Sequence, residues 1–254
     1  MRNAPLTFPR DSGIIKISAP AEGYDGLDRI IQAVIFDMDG LMFDTENLTA
    51  KLWDEIGGEL GYPGVSAIMP DVMGIRVGSS DAVFRRHFGE RFPYEEFIRR
   101  FRGRTDQYIE EHGVPVKPGL FKLLEYLRQN GYPMAVASST SRKRVMRYFE
   151  KTGLSPYFKT VICGDMVEKS KPDPQIYLTA AEKTGVLPEN CMVLEDSPNG
   201  CTAAIRAEMK TVMVPDRVQP DEALRGKLFA CVETLDGVAP LLEKLPGGKT
   251  GVCP

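Results

Sequence analysis

Five times along this chain a short apolar run ends abruptly in polar residues, and little else in the sequence limits its fold as much. AlaValIlePhe at 33–36 stops at Asp37, and MetAlaValAlaSer at 134–138 runs into further hydroxyls. ThrValIleCysGly at 160–164, CysMetValLeuGluAsp at 191–196 and ThrValMetValProAsp at 211–216 repeat the shape. Runs that are apolar throughout, not at alternate positions, suit strands covered on both faces. Helical patterns lie between them, over Leu120–Asn130, Arg142–Thr152, Pro174–Thr184 and Cys201–Glu208. The first three are followed by Gly131, Gly153 and Gly185, the usual punctuation of a helix end. Strands alternating with helices predict right-handed crossovers and a parallel sheet, an α/β fold of Rossmann-like type.

One stretch breaks the alternation. From Asp44 to about Lys117 the pattern is helical, over Glu46–Leu60, Asp81–Phe88 and Tyr94–His112, with prolines at 63, 70, 93, 115 and 118. About seventy residues thus separate the first strand from its helix partner, where a handful is normal. The expected organisation is an N-terminal extension over 1–32, a discontinuous α/β core from 33–44 and 118–246, and an inserted helical cap domain over 45–117. Residues 247–254 read as a flexible tail.

Composition excludes several classes. A net charge of −3 offers no basic excess for a phosphate backbone, so no nucleic-acid partner is expected. No stretch approaches the roughly 18 apolar residues of a membrane span. The five cysteines are scattered and never in a CxxC spacing, and several sit in apolar runs. That pattern reads as buried thiols in a reducing compartment, hence a cytoplasmic protein, expected as a monomer.

In an open parallel sheet, ligands bind beyond the carboxyl ends of the strands. Those ends present Asp37 and Asp39, then Ser138, Ser139 and Thr140, then Lys171 before Pro172, then Glu195 and Asp196. Several acids with one lysine and hydroxyls form a site for a hard divalent cation and an anion, and Mg2+ prefers such oxygen ligands.

The ordered set AspMetAspGly, apolar-Ser-Ser-Thr, Lys-Pro, Glu-Asp resembles the haloacid dehalogenase superfamily. PheAspMetAspGlyLeuMetPheAspThrGlu at 36–46 and LeuGluAspSerProAsnGlyCysThrAlaAla at 194–204 resemble the branch with a helical cap, which includes β-phosphoglucomutase and many sugar-phosphate phosphatases. The resemblance implies a Mg2+-dependent phosphomonoester hydrolase acting on a small phosphorylated metabolite, a sugar phosphate first among them. It implies that Asp37 attacks phosphorus and becomes an aspartyl-phosphate. Asp39 would protonate the leaving oxygen and then deprotonate water; Ser138 and Lys171 would hold the phosphoryl oxygens. Mg2+ would be held by Asp37, the Asp39 carbonyl and Asp196, with Glu195 a ligand either directly or through its neighbours. Ser139 and Arg76, the latter in a Gly-flanked loop at 73–77, read as substrate contacts. A phosphosugar mutase is the alternative, and a non-catalytic binding protein on the same fold a further one. Against the mutase, the position where β-phosphoglucomutases carry a cap histidine is Thr49 here. Asp44 reads as a hinge hydrogen-bonder, His87 and His112 as solvated, and Trp53 as core of the cap.

Overall fold

The computed structural model describes residues 31–72 and 80–245. The predicted tail, and all but two residues of the predicted N-terminal extension, lie outside them. The core strands are β1 (Ala33–Phe36), β2 (Met134–Ser138), β3 (Thr160–Cys163), β4 (Cys191–Glu195), β5 (Lys210–Met213) and β6 (Ala230–Cys231). They pair in parallel in the order β3-β2-β1-β4-β5-β6. The chain changes direction across the sheet between β1 and β4, so the crevice for a ligand opens where those two strands end. Helices α1 (Thr45–Glu59), α2 (Met69–Val72), α3 (Asp81–Phe88) and α4 (Tyr94–His112) come from the long insertion after β1. The core helices are α5 (Leu120–Gln129), α6 (Arg142–Thr152), α7 (Gln175–Thr184), α8 (Pro198–Arg206), α9 (Glu222–Arg225) and α10 (Val238–Glu243).

Alternation along each strand sorts its side chains between two packing layers. Val34, Phe36, Val136, Met192 and Leu194 join the layer under α5, α6 and α10. Ala33, Ile35, Ala135, Ala137, Cys191 and Val193 face the other layer, with Ile176, Tyr177 and Ala180 of α7. All four residues of β1 are fully buried. Each large one contributes about 1.5–3 kcal/mol of burial free energy, an upper figure. The alanines of β2 let α7 approach closely, which matters below because α7 and its leading loop set Lys171. The helical insertion has its own apolar cluster, in which Trp53 packs edge-on against Phe97 and Phe101 and tilted on Phe84.

Several details differ from the sequence expectation. Helix α8 begins at Pro198, three residues before the expected Cys201, because the Ser197 hydroxyl accepts the Gly200 amide as an N-cap and Pro198 takes the first turn. The sheet gains β6, only two residues long, and the chain gains α2, α9 and α10; none carries a periodic signal of useful length. Cys163, Cys191 and Cys201 are buried free thiols. Among the described residues no helix is long and apolar enough to cross a membrane.

Candidate active site

The strand ends converge. The Asp37 amide donates to the Leu194 carbonyl at 3.0 Å, which ties the end of β1 to the end of β4. Beyond it the chain turns within six residues: Met42 and Phe43 amides both return to the Met38 carbonyl, and the Gly40 amide donates to Phe43 O at 2.9 Å. Gly40 holds φ +88°, and a Cβ there would lie 2.2 Å from Asp196 Oδ2, so only glycine closes this turn beneath the acid.

Lys171 is placed by its loop. Gln175, the first residue of α7, accepts the Glu168 and Lys169 amides through Oε1 at 3.0 and 2.8 Å. Arg206 donates to the Pro172 carbonyl at 2.9 Å. The result buries Lys171 beside Asp37 Oδ1, with Nζ also donating to Glu195 Oε1 at 2.7 Å and to Ala137 O at 3.2 Å. All three ammonium protons therefore have acceptors. Lys169, two residues away, points to solvent with its side chain 71% exposed.

Glu195 is equally saturated. Its Oε1 takes Lys171 and the Tyr177 hydroxyl, while Oε2 takes the Asp196 and Ser197 amides and the Ser197 hydroxyl. Gly200 leaves room for this, since a Cβ there would sit 1.5 Å from Glu195 Oε1. Burial opposes the charge on Glu195, but Lys171 and these donors hold its carboxyl below the ordinary value. Burial likewise opposes the Lys171 charge, and Asp37 and Glu195 outweigh it, keeping the ammonium protonated.

Asp37 and Asp196 differ from Glu195. Burial lifts Asp37 to about 8, against the pull of Lys171 and with the push of Glu195. Asp196 is pushed well up, first by burial and then by Glu195 and Glu46. Its Oδ2 is buried without a hydrogen-bond partner. Asp37, Glu195 and Asp196 bring carboxylate oxygens within 4.8 Å of one another. A partnerless oxygen among converging carboxylates suits a hard divalent cation, which would relieve the electrostatic penalty that burial creates here.

The site faces a cavity of about 160 Å³ between the sheet and the helical insertion. Asp37, Asp39, Ser139, Thr140 and Asp196 line it from below; Thr49, Trp53, Met69, Val72 and Phe101 line it from the insertion. Asp39 is held by two hydroxyls: Thr45 donates to Oδ1 at 3.0 Å and Thr140 to Oδ2 at 2.8 Å. Ser138 is fully buried, and its Oγ accepts the Thr140 amide at 3.0 Å, fixing the turn that presents Ser139 and Thr140. Seven of the eight residues singled out in the sequence thus come to one place; the eighth, Arg76, lies outside the described residues.

Residues 34–214 match the haloacid dehalogenase-like hydrolase family. The chain belongs to that family. Hexitol phosphatase B of Escherichia coli K12 is 31% identical over 189 residues, 74% of this chain and 85% of that protein. A phosphorylated carbohydrates phosphatase of Thermotoga maritima is 29% identical over 182 residues, 72% of this chain and 84% of its own. Among solved structures, CbbY of Rhodobacter sphaeroides in complex with xylulose-(1,5)bisphosphate superposes with a TM-score of 0.68 at 25% identity, covering 81% of this chain and 95% of that one. This haloacid dehalogenase-like hydrolase is an enzyme of the phosphatase type.

Several residues of the site escape the sequence reading. Tyr177 carries no motif; only the fold shows its hydroxyl on Glu195. Thr45 is not singled out in the sequence, and Thr140 is read only as a strand-end hydroxyl; their shared partner Asp39 shows only in the fold. Glu46 looks like an ordinary acid in the first turn of a helix. Instead it is buried at 8% exposure with Oε2 unpartnered, and burial, then Asp216, lift it to about 8. Trp53, expected as cap core, is in that core and also lines the cavity.

Proposed function

We propose that the protein hydrolyses phosphate monoesters of small phosphorylated metabolites, sugar phosphates foremost, through an aspartyl-phosphate on Asp37 and with Mg2+. The observation that carries this reading is Asp37 itself. It is a carboxylate at the end of the central strand, ion-paired through Oδ1 to a buried lysine, beside the partnerless Oδ2 of Asp196. The relatives named as phosphatases of hexitols and of phosphorylated carbohydrates support the substrate class.

Asp37, the Asp39 carbonyl and Asp196 would hold Mg2+, which when bound neutralises charge on the phosphoryl oxygens and lets an anion approach an anion. Asp37 Oδ2 bonds phosphorus as the ester P–O bond breaks, and Asp39 gives its proton to the leaving oxygen. Water then attacks phosphorus, its proton returning to Asp39, and the Asp37 carboxylate is released with inorganic phosphate. Lys171 keeps Asp37 aligned and offsets its charge; Glu195 holds Lys171 and serves as a positioning group, its own oxygens being taken. Ser139 presents its hydroxyl to the transferring group, while the Thr140 hydroxyl donates to Asp39 and Ser138 shapes their turn. The helical insertion over 45–117 acts as the cap that excludes water, its apolar wall of Trp53, Met69, Val72 and Phe101 facing the substrate's remainder.

The test is release of inorganic phosphate from a panel of phosphorylated metabolites, with Mg2+ and after EDTA. Asp37→Asn is expected to lower turnover by about a thousandfold or more, with the melting temperature kept. It is also expected to lose trapping by beryllium fluoride. Turnover within tenfold of the parent would remove Asp37 from the nucleophile's role.

A further inference from the structure

Three carboxylate oxygens in a row lie buried without hydrogen-bond partners: Asp196 Oδ2, Glu46 Oε2 and Asp216 Oδ2. The positions converge. A Cβ built on Gly40 would lie 2.2 Å from Asp196 Oδ2 and 3.1 Å from the Glu46 carboxyl carbon. Asp196 belongs to the end of β4, Asp216 follows β5, and Glu46 sits in the first turn of α1, the first helix of the insertion. Two cations lie near: Lys117 is committed at 2.8 Å to Asp216 Oδ1 and at 3.3 Å to Asp44, and Arg217 donates to the Glu46 backbone carbonyl at 3.3 Å. Buried carboxylate oxygens with no donor are costly, and donors supplied from outside the chain would relieve that cost.

Glu46 is not one of the three carboxylates close enough to share a single ion. It neighbours one of them, Asp196, across Gly40. Waters bound to a divalent cation are strong donors, and acceptors just outside the ligands tune both affinity and geometry. The next residue back, Thr45, already ties the same helix end to Asp39.

We infer that Glu46 is a positioning residue that accepts hydrogen bonds from the water shell of the cation held by Asp37 and Asp196, so that cation binding fastens α1 and the insertion it begins onto the sheet. This rests on the cation reading of the site. It adds a residue from the insertion, and a consequence for order: the ion fixes the helix as well as the phosphate.

The test uses the full-length protein stripped of metal. Mn2+ binding is counted by the loss of the free-ion electron paramagnetic resonance signal, and melting is followed with and without Mg2+. Glu46→Gln keeps the shape and removes the charge. It is expected to weaken Mn2+ binding roughly tenfold or more, to shrink the Mg2+-dependent rise in melting temperature, and to leave the metal-free melting temperature equal or higher. A Glu46 whose role is structural alone gives the opposite pattern, a lower metal-free melting temperature with affinity unchanged, and that overturns the inference. Wild-type protein supplies an arm that needs no variant: Mg2+ should slow amide exchange over the first turns of α1, and exchange indifferent to Mg2+ also overturns it. If the wild-type protein binds neither ion, the cation reading of the site falls and this inference with it. If it binds both while Glu46→Gln binds equally well, only the inference falls.

Discussion

At the scale of single residues the site is a balance of buried charge, and Lys171 is its pivot. One ammonium faces two buried carboxylates, Asp37 and Glu195, and its side chain is fully buried. Removing one partner from such a cluster leaves uncompensated charge in a poorly solvated place and typically costs about 3–5 kcal/mol. Lys171→Met is therefore expected to lower the unfolding free energy by about that amount, measured by urea denaturation, with phosphatase activity lost. A loss below about 1 kcal/mol, the range of an exposed pair, would mean that the carboxylates find other compensation. The carboxylates of this cluster were legible in the sequence because each ends an apolar run. Their division of labour was not. Glu195 and Asp196 are neighbours with the same chemistry, yet five donors fill Glu195 and Asp196 keeps an oxygen without partner. That difference depends on Tyr177 and Ser197, whose contacts with Glu195 exist only after folding.

At the scale of elements, the sheet was legible wherever a run of four or five apolar residues marked a doubly covered strand, and illegible where the strand was two residues long, as in β6. The start of α8 was misplaced because apolar periodicity begins at Cys201, while the helix begins where Ser197 and Pro198 satisfy its first amides. The three long helices of the insertion were legible from periodicity and the four-residue α2 was not; nor was their attachment to the core, since it is ionic and crosses sequence distance. Asp106 of α4 accepts from Arg147 at 2.8 Å and pairs with Arg144 at 3.3 Å; Glu110 pairs with Arg147 and, at 2.9 Å, with Lys151. Arg144 also lines the cavity. We propose that this seam between α4 and α6 biases the insertion toward the closed position. Partly exposed pairs are weak one by one, so Arg147→Ala should cost no more than about 1 kcal/mol of closure. The expected reading is a KM raised about two- to fivefold, with the melting temperature little changed. In the parent enzyme, KM should rise with NaCl as the seam is screened. A KM indifferent to both would place the closing force elsewhere, in the backbone pairing of the two crossings, where the Asp44 amide meets Pro115 O at 2.8 Å and the Lys117 amide meets Met42 O at 2.9 Å.

At the scale of the whole molecule, the proposed aspartyl-phosphate on Asp37 raises the question of what becomes of its phosphoryl group. A mutase must keep water from the aspartyl-phosphate until a second hydroxyl of the sugar arrives, which calls for a group in the cap that couples sugar binding to closure. The β-phosphoglucomutases that this sequence resembles use a histidine there, and Thr49 occupies the matching position and lines the cavity. The chain has only two histidines. His87 lies on α3 with Nε2 2.8 Å from Asp71, and His112 ends α4 stacked on Tyr108 with centroids 4.4 Å apart. Neither lines the cavity. A threonine hydroxyl neither carries charge nor titrates near neutral pH, so it cannot supply an imidazole's charge or acid–base function. On the proposed mechanism, hydrolysis, with Asp39 as the base held between Thr45 and Thr140, is then the default fate of the intermediate. Incubated with β-glucose 1-phosphate, Mg2+ and a trace of glucose 1,6-bisphosphate, the enzyme should release inorganic phosphate in excess of any glucose 6-phosphate formed. Rapid conversion to glucose 6-phosphate with little free phosphate would show that this cavity protects its intermediate without a histidine, and the hydrolase reading would give way to the mutase.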